Sequence, residues 1–414
     1  MEWEARAIFD GWINDDNEKY GIDVYPWKVW LNIRNDDAFM HRWGSADYVR
    51  LFIRIIPHEY CPGFLLGADG YVFGREFIYS GADPVLKNQL EIEKHWYNFG
   101  LWGKLAYNNE LSDDYWTKVL AQKYGLTNTN AGKLFNALEN VSEIIPQIAR
   151  QTYSPTDAGI QYEGCMSSWS TSTGYITFDR LFLKNDANNY DRWPMQLKED
   201  KVGGERQCWP VRNWVYYNPT LAADQISPPE VAQALDDYAD NGTAELAALK
   251  AVNTDNIEYQ DMLLDIESMA HLGRFYADKL RCAITWYAFH MAGYDPNNPL
   301  FTKAKNEIYS AKAHWEDYAA VLDKHYMPSL TARTNYLDWN GTLNNAPTRT
   351  ARGKARLVQN GIAREIEAIE NIEVGVGQLL ELKPQPYDIM WGPRWIKENG
   401  QGKIYAPWRT TDPL

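Results

Sequence analysis

The chain has 414 residues, 45% of them hydrophobic, and a formal net charge of −14. That length accommodates a large core and two or three domains. The acidic balance, with no basic arm, argues against nucleic acid as a partner. No apolar run reaches membrane-spanning length, so no membrane partner is expected. The N-terminal MEWEARAIFDGW is too acidic for a signal or transit peptide. The location is secreted or periplasmic if a signal has been removed, and cytoplasmic otherwise.

In chain order, Trp27 to Arg34 (WKVWLNIR) reads as a strand, followed by Asn35-Asp36-Asp37. Ser45 to Pro57 (SADYVRLFIRIIP) reads as an amphipathic helix with Ser45 as N-cap and Pro57 beyond its end. The apolar run Gly63-Phe64-Leu65-Leu66-Gly67 reads as a second, buried strand. It opens into a loop carrying Asp69, Tyr71, Arg75, Glu76 and Tyr79. Strand, helix and strand over residues 27–73 predict a βαβ unit of a parallel sheet. A buried strand ending in a charged, aromatic loop is how α/β barrels present catalytic groups.

A helix is expected from about Asp83 to Asn98, with Pro84 in its first turn. Residues 111–150 read as two helices, the first closed by Gly125 and the second bent or interrupted by Pro146. Residues 151–225 lose periodicity and are rich in Tyr, Trp, Ser, Gly and Asn, which predicts short strands or a lid. Helical signal returns at Ser227-Pro228-Pro229-Glu230. Asn256 to Ala292, Pro299 to Tyr326 and Ala351 to Lys383 predict three long amphipathic helices of a bundle. Pro384 to Leu414 reads as an extended tail. The expected fold class is α/β plus α. Residues 1–110 form a partial (β/α)-barrel-like part, and 111–225 hold helices and an aromatic, lid-like segment. A helix bundle follows over 226–383, and the tail over 384–414.

Four widely separated cysteines (Cys61, Cys165, Cys208, Cys282) show no Cys-x-x-Cys or Cys/His ligand spacing, so neither a metal nor a cofactor is expected. Four free or buried thiols are the simpler reading than a disulfide. The unusual number is the aromatic content, with 18 Trp and 27 Tyr. Such rings combine an apolar face with a polar tip and suit the C–H faces and hydroxyl edges of sugars. Most must pack the core. The loop rings Trp43, Tyr71, Tyr79, Tyr162, Trp169, Tyr175, Tyr190, Trp193 and Trp209 are the candidates for a saccharide cleft.

Paired carboxylates at the carboxyl ends of strands are what glycoside hydrolysis needs, one protonating the leaving oxygen and the other activating water or attacking carbon. Asp36 and Asp37 end one predicted strand, and Asp69 and Glu76 follow the next; these are the candidate catalytic residues. Arg42 and Arg75 offer planar forks for a substrate carboxylate. Trp43, Tyr71, Tyr79, Tyr162, Glu163 and Trp169 complete the candidate binding set. The alternatives are local. Asn-Asp-Asp after a strand also serves as a turn and helix cap. Arg75 and Glu76 can form an internal ion pair.

Three phrases carry a resemblance: NIRNDDAFMHRWGSADY, GFLLGADGYVFGREF and YNFGLWGKLAYNNELSDDYW. They resemble the last part of a catalytic barrel in bacterial carbohydrate-active proteins. The layout is similar to that of the α-glucuronidases of xylan breakdown, in which a (β/α)8 barrel precedes a helical domain. HLGRFYADKLRCAITW resembles a helix of that domain, and Gln161-Tyr162-Glu163-Gly164-Cys165 an element of related proteins. The resemblance covers about half of the chain and maps no catalytic carboxylate individually. It implies a glycoside hydrolase, or the C-terminal portion of one, acting on a plant or algal polysaccharide that contains uronate. A closed barrel needs eight strands, and only two are clear. The chain therefore reads as the back half of a longer protein, as a truncated gene, or as a subunit whose barrel is completed by a partner chain or a second copy. If the helices instead form an α/α toroid, a polysaccharide lyase using Tyr or His for β-elimination is the alternative. A non-catalytic saccharide-binding module is the third reading.

Overall fold

The computed structural model describes residues 30–34, 40–56, 58, 61–67, 91–152, 160–167, 175–183, 196–198, 205–209, 211–221, 225–326, 330–331, 336–337, 339–344, 347–349, 355–357, 361–372, 394–398 and 401–405. Among them the protein is mostly helical, with short strands between helices.

The expected βαβ unit is present. Strands β1 (Trp30–Arg34) and β2 (Gly63–Gly67) pair in parallel, with Trp30 opposite Gly63 and Arg34 opposite Gly67. Helix α1 (Ala46–Ile55) connects them. Ser45 caps it by accepting from the Tyr48 N–H, and it stops at Ile56, just before Pro57. Phe52 of α1 meets Phe64 of β2 at 6.1 Å between centroids and Trp102 at 5.1 Å, both edge to face. Among the described residues no other strand bonds to β1 or β2, so the barrel-like part is represented by this one unit and no barrel closes.

A short helix, α2 (Glu91–Lys94), leads into α3 (Trp96–Tyr107). It runs past Asn98, the expected end, because Leu101, Trp102 and Leu105 continue its buried stripe, and residues 83–90 of the expected helix lie outside the described residues. Helix α4 (Asp113–Tyr124) starts at the Ser112 cap and ends at Gly125, whose φ of 67° is left-handed. Helices α5 (Asn128–Ser142) and α6 (Ile144–Thr152) divide where Pro146 requires it. In one continuous helix its ring would collide with the carbonyl of Ser142. That carbonyl instead accepts from Trp43 Nε1 at 2.7 Å, and the Ser142 hydroxyl accepts from the Gly44 N–H at 2.9 Å. The helix break thus docks the segment that leaves β1. Gly44 is required there, since a Cβ would stand 2.4 Å from the Tyr97 ring.

The aperiodic region holds short strands, as one of its two readings expected. β3 (Ile160–Gln161) and β4 (Met166–Ser167) flank a tight turn over Tyr162–Gly164. A wide helical turn covers Asp179–Leu183. β5 (Gln196–Lys198), β6 (Glu205–Cys208) and β7 (Gln225–Ile226) form a three-stranded sheet, with α7 (Val211–Tyr217) between the last two.

The bundle begins at α8 (Pro228–Thr243), which carries a reciprocal Ser227–Glu230 capping box, followed by α9 (Leu246–Lys250). Its axis is the 35-residue α10 (Ile257–Met291), packed against α8 and α11 (Pro299–Leu322). The third long helix, expected over 351–383, does not form. The described part of that stretch is β11 (Ala355–Leu357), paired with β10 (Pro347–Arg349), and the short α13 (Ile362–Glu370). Gly361 stands extended at the head of α13 and interrupts any longer helix. Ile362, Ile366 and Ile369 give α13 its buried stripe. Helix α12 (Trp339–Asn344) lies between α11 and α13, and β8 (Leu330–Thr331) pairs with β9 (Tyr336–Leu337). In the tail, β12 (Arg394–Glu398) and β13 (Gln401–Tyr405) form an antiparallel hairpin. Cys165 and Cys282 are free, buried thiols, and Cys61 is buried too.

Candidate functional site

Of the sequence-predicted site residues, Asp36 and Asp37 lie within 35–39, and Asp69, Tyr71, Arg75, Glu76 and Tyr79 within 68–90. Trp169 lies within 168–174. All eight fall outside the described residues. Arg42, Trp43, Tyr162 and Glu163 are described, and the fold gathers all four at one buried junction. Tyr175 and Trp209, also singled out as loop rings, are buried too.

The junction joins the segment after β1 to the turn between β3 and β4, and seats both on α10 and α11. Glu163 is the knot. Its carboxylate accepts from the Met40 N–H at 3.0 Å, the His41 N–H at 2.8 Å and His41 Nδ1 at 2.7 Å. Its carbonyl accepts from the Tyr318 hydroxyl at 2.8 Å. His41 Nε2 lies 2.8 Å from Ser268 Oγ. The neighbouring residue continues the attachment. Arg42 donates from its backbone N–H (3.1 Å) and its guanidinium (2.7 Å) to Asp265 Oδ2. The Tyr326 hydroxyl stands 2.8 Å from Asp265 Oδ1, and His325 Nε2 stands 3.3 Å from it. Lys94 donates to the Met40 carbonyl and to the Tyr326 hydroxyl.

Burial opposes charge on Asp265, but Arg42, His325 and Lys94 outweigh it and hold the carboxyl well below the usual carboxylate range. His95, buried beside Lys94 and Arg42, has its proton affinity lowered by burial and then by those cations. The Arg42 fork therefore serves a carboxylate of the protein itself in this structure. Ser268, His41 and Glu163 reproduce the order of a serine–histidine–acid relay. His41 and Ser268 are 0% exposed, so no substrate reaches them. The arrangement orders the chain and does not attack a substrate.

A second cluster backs the same turn. Lys279 Nζ donates to the Tyr175 hydroxyl (2.8 Å) and the Ile176 carbonyl, lies 3.3 Å from Cys165 Sγ, and faces Glu365 at 3.5 Å. Glu365 accepts from the Tyr175 hydroxyl and the Phe178 N–H. Thr342 Oγ1 donates to the Gly164 carbonyl at 3.3 Å, and the Tyr276 hydroxyl to the Tyr162 carbonyl at 2.6 Å.

Sequence reasoning missed Lys94, Asp265, Ser268, Lys279, Tyr326 and Glu365. A signal for three of them existed. Asp261, Asp265, Ser268, Leu272, Phe275, Lys279, Cys282 and Trp286 follow alternating steps of four and three along α10, one continuous seam, and all eight are buried. Polar residues on such a seam must find buried partners.

The third polar contact anchors α1. Glu139 of α5 accepts from Ser45 Oγ at 2.9 Å and from the N–H groups of Ala46 at 2.5 Å and Asp47 at 3.3 Å. Burial pushes its carboxyl up to about 8, against the lowering effect of the Ala46 N–H. The unfolded value is about 4.3. A carboxyl raised on folding contributes fully below that unfolded value and loses its contribution as pH rises through about 8. The thermal midpoint should therefore fall between about pH 5 and about pH 9, by an effect on the order of 1–3 kcal/mol, and Glu139→Gln should flatten that slope. Parallel midpoint–pH curves for the two proteins would exclude Glu139 as its source.

No family model and no curated protein matches the sequence. Among solved structures, the chain is similar to a GH138 enzyme targeting pectin rhamnogalacturonan II, with a TM-score of 0.57 and 12% identity. The match covers 83% of this chain and 46% of that enzyme, so the chain spans less than half of its length. The likeness is one of fold. A mostly helical assembly of this kind thus occurs in a carbohydrate-active enzyme.

Proposed function

We propose that the chain is a glycoside hydrolase, or the C-terminal portion of one, acting on a uronate-containing plant or algal polysaccharide, with carboxylate acid/base catalysis. The observation that carries this reading is the fold shared with a glycoside hydrolase whose target is a pectin polysaccharide. The geometry around β1 supports it. Residues 35–39, which include Asp36 and Asp37, run from the carboxyl end of β1 to the buried knot that begins at Met40. Acids at the carboxyl ends of parallel strands are where α/β enzymes place catalysis.

In this mechanism Asp36 or Asp37 and Asp69 or Glu76 divide the roles. One carboxylic acid protonates the glycosidic oxygen, and one carboxylate activates water or attacks the anomeric carbon. Arg75 holds the uronate carboxylate with its fork, and Tyr71, Tyr79 and Trp169 offer ring faces to the sugar. The test is incubation with a panel of uronate polysaccharides that includes rhamnogalacturonan II, followed by reducing-end and ultraviolet assays. New reducing ends without new absorbance are expected. Asp36→Asn and Glu76→Gln should each cut turnover by roughly 100-fold or more while binding is kept. New absorbance would mark a lyase, because β-elimination conjugates a double bond with the carboxylate. Binding without turnover would mark a saccharide-binding module.

A further inference from the structure

Helices α10 and α11 lie side by side along the bundle, and one part of their shared groove holds chemistry that the proposed hydrolysis does not use. His271 comes from α10, and His314 and Asp317 come from successive turns of α11. One ligand atom from each lies within 4.8 Å of the other two. His271 Nδ1 stands 3.8 Å from Asp317 Oδ2, beyond hydrogen-bond reach, and the two imidazole centroids are 6.5 Å apart. His271 Nδ1 and His314 Nδ1 are both buried without a hydrogen-bond partner. The second nitrogen of His314, Nε2, faces Asp278 at 3.6 Å. Two buried, unpartnered ring nitrogens beside an exposed carboxylate, with a further carboxylate facing one ring, form an unfavourable arrangement that a cation would complete.

The geometry points to a divalent transition-metal site, for zinc or a metal of like ligand preference, made by His271 Nδ1, His314 Nδ1 and the Asp317 carboxylate across the α10–α11 groove. Two imidazoles and one carboxylate match the nitrogen and oxygen donors that zinc takes, and three protein ligands leave one position for water. Ligands at about 2.0–2.1 Å from a tetrahedral metal stand about 3.4 Å from one another, which the exposed Asp317 side chain reaches by rotation. Asp278 faces His314 on its Nε2 edge at 3.6 Å, a charge contact that leaves Nδ1 for the metal. The positive neighbours are occupied elsewhere: Arg274 pairs with Asp240 at 2.7 Å, and Arg281 with Asp236 and Asp278. His271 lies far in sequence from the His314 and Asp317 pair, and the set lacks the short Cys/His spacing that marks a zinc site, so no motif announces it. Bound metal would staple the two longest helices of the bundle.

The experiment uses the full chain without a histidine tag and reads binding of zinc chloride by competition with a chromophoric chelator. It also reads the thermal midpoint with and without EDTA. A single equivalent should bind, and the midpoint should rise with zinc and return with EDTA. His271→Asn and His314→Asn should each weaken binding by tenfold or more. Asp278→Asn should weaken it by about tenfold without abolishing it. No binding by the parent protein, or unchanged affinity in both histidine variants, would overturn the site. Cobalt binding by the unmodified protein keeps the test independent of variant folding. Visible bands of nitrogen and oxygen ligation are expected, whereas thiolate charge-transfer bands would place the metal at cysteine and refute the assignment.

Discussion

Replacing Glu163 by alanine should destabilise the protein by about 3–5 kcal/mol, the cost of leaving several buried donors without their shared acceptor. Glu163 receives three donors from Met40 and His41 in a setting where neither residue is exposed. Without the carboxylate, two backbone N–H groups and one imidazole nitrogen lose their acceptor, and each such loss costs about 1–3 kcal/mol. Glu163→Gln keeps an acceptor oxygen but presents an amide NH2 where donors already converge, so a smaller loss of about 1–2 kcal/mol is expected. Thermal denaturation followed by far-ultraviolet circular dichroism would read the series. Equal midpoints for Glu163→Ala and the parent protein would mean that the knot carries no stability. Because this knot ends the stretch that holds Asp36 and Asp37, the alanine variant should also lose activity on any substrate that the parent cleaves.

What could be read from the sequence was local chemistry. Ser45, Gly125, Pro146 and Ser227 each act within a few residues of themselves, through a cap, a left-handed turn, a blocked carbonyl and a capping box, and each marks an observed boundary. The strand–helix–strand reading succeeded because β1 and β2 are apolar runs separated by one amphipathic helix. The third long bundle helix failed because Ala355–Leu357 pairs as a strand with Pro347–Arg349 and Gly361 stands extended ahead of α13, which an apolar pattern alone does not reveal. The buried junction was a different problem. Arg42 meets Asp265 across 223 residues, and Glu163 meets His41 across 122. A charged residue in a loop looks the same in sequence whether its partner is a substrate or another loop. Arg42 and Glu163 stood out because they are charged groups amid apolar and aromatic neighbours, which is also what a buried internal pair requires. The polar members of the α10 seam carried the complementary information. Asp261, Asp265, Ser268 and Lys279 interrupt an apolar stripe, and the interruptions mark where distant segments dock.

Lys279 gives the second large expected effect. It is 0% exposed, and its ammonium is the one cation set directly against Glu365 among the described ion pairs, with the Tyr175 ring 4.1 Å beneath it. Lys279→Met keeps the length and most of the packing but removes the charge, so Glu365 is left buried with only neutral donors. The expected loss is about 3–5 kcal/mol. Its pH dependence is distinctive. Burial raises the Glu365 carboxyl above its ordinary value, while Lys279 pulls it back down. Removing Lys279 raises it further, and a carboxyl raised on folding costs stability as pH climbs toward its folded value. The penalty of Lys279→Met should therefore grow from acid toward neutral and alkaline pH. Adding Glu365→Gln should restore part of the loss, because the amide carries no charge and still accepts from the Phe178 N–H. The double-mutant cycle then isolates the coupling between the two side chains, expected at roughly 1–3 kcal/mol in favour of the pair. Additive losses, or a Lys279→Met penalty independent of pH, would show that Lys279 acts through packing on Tyr175 and Phe275 and not through charge.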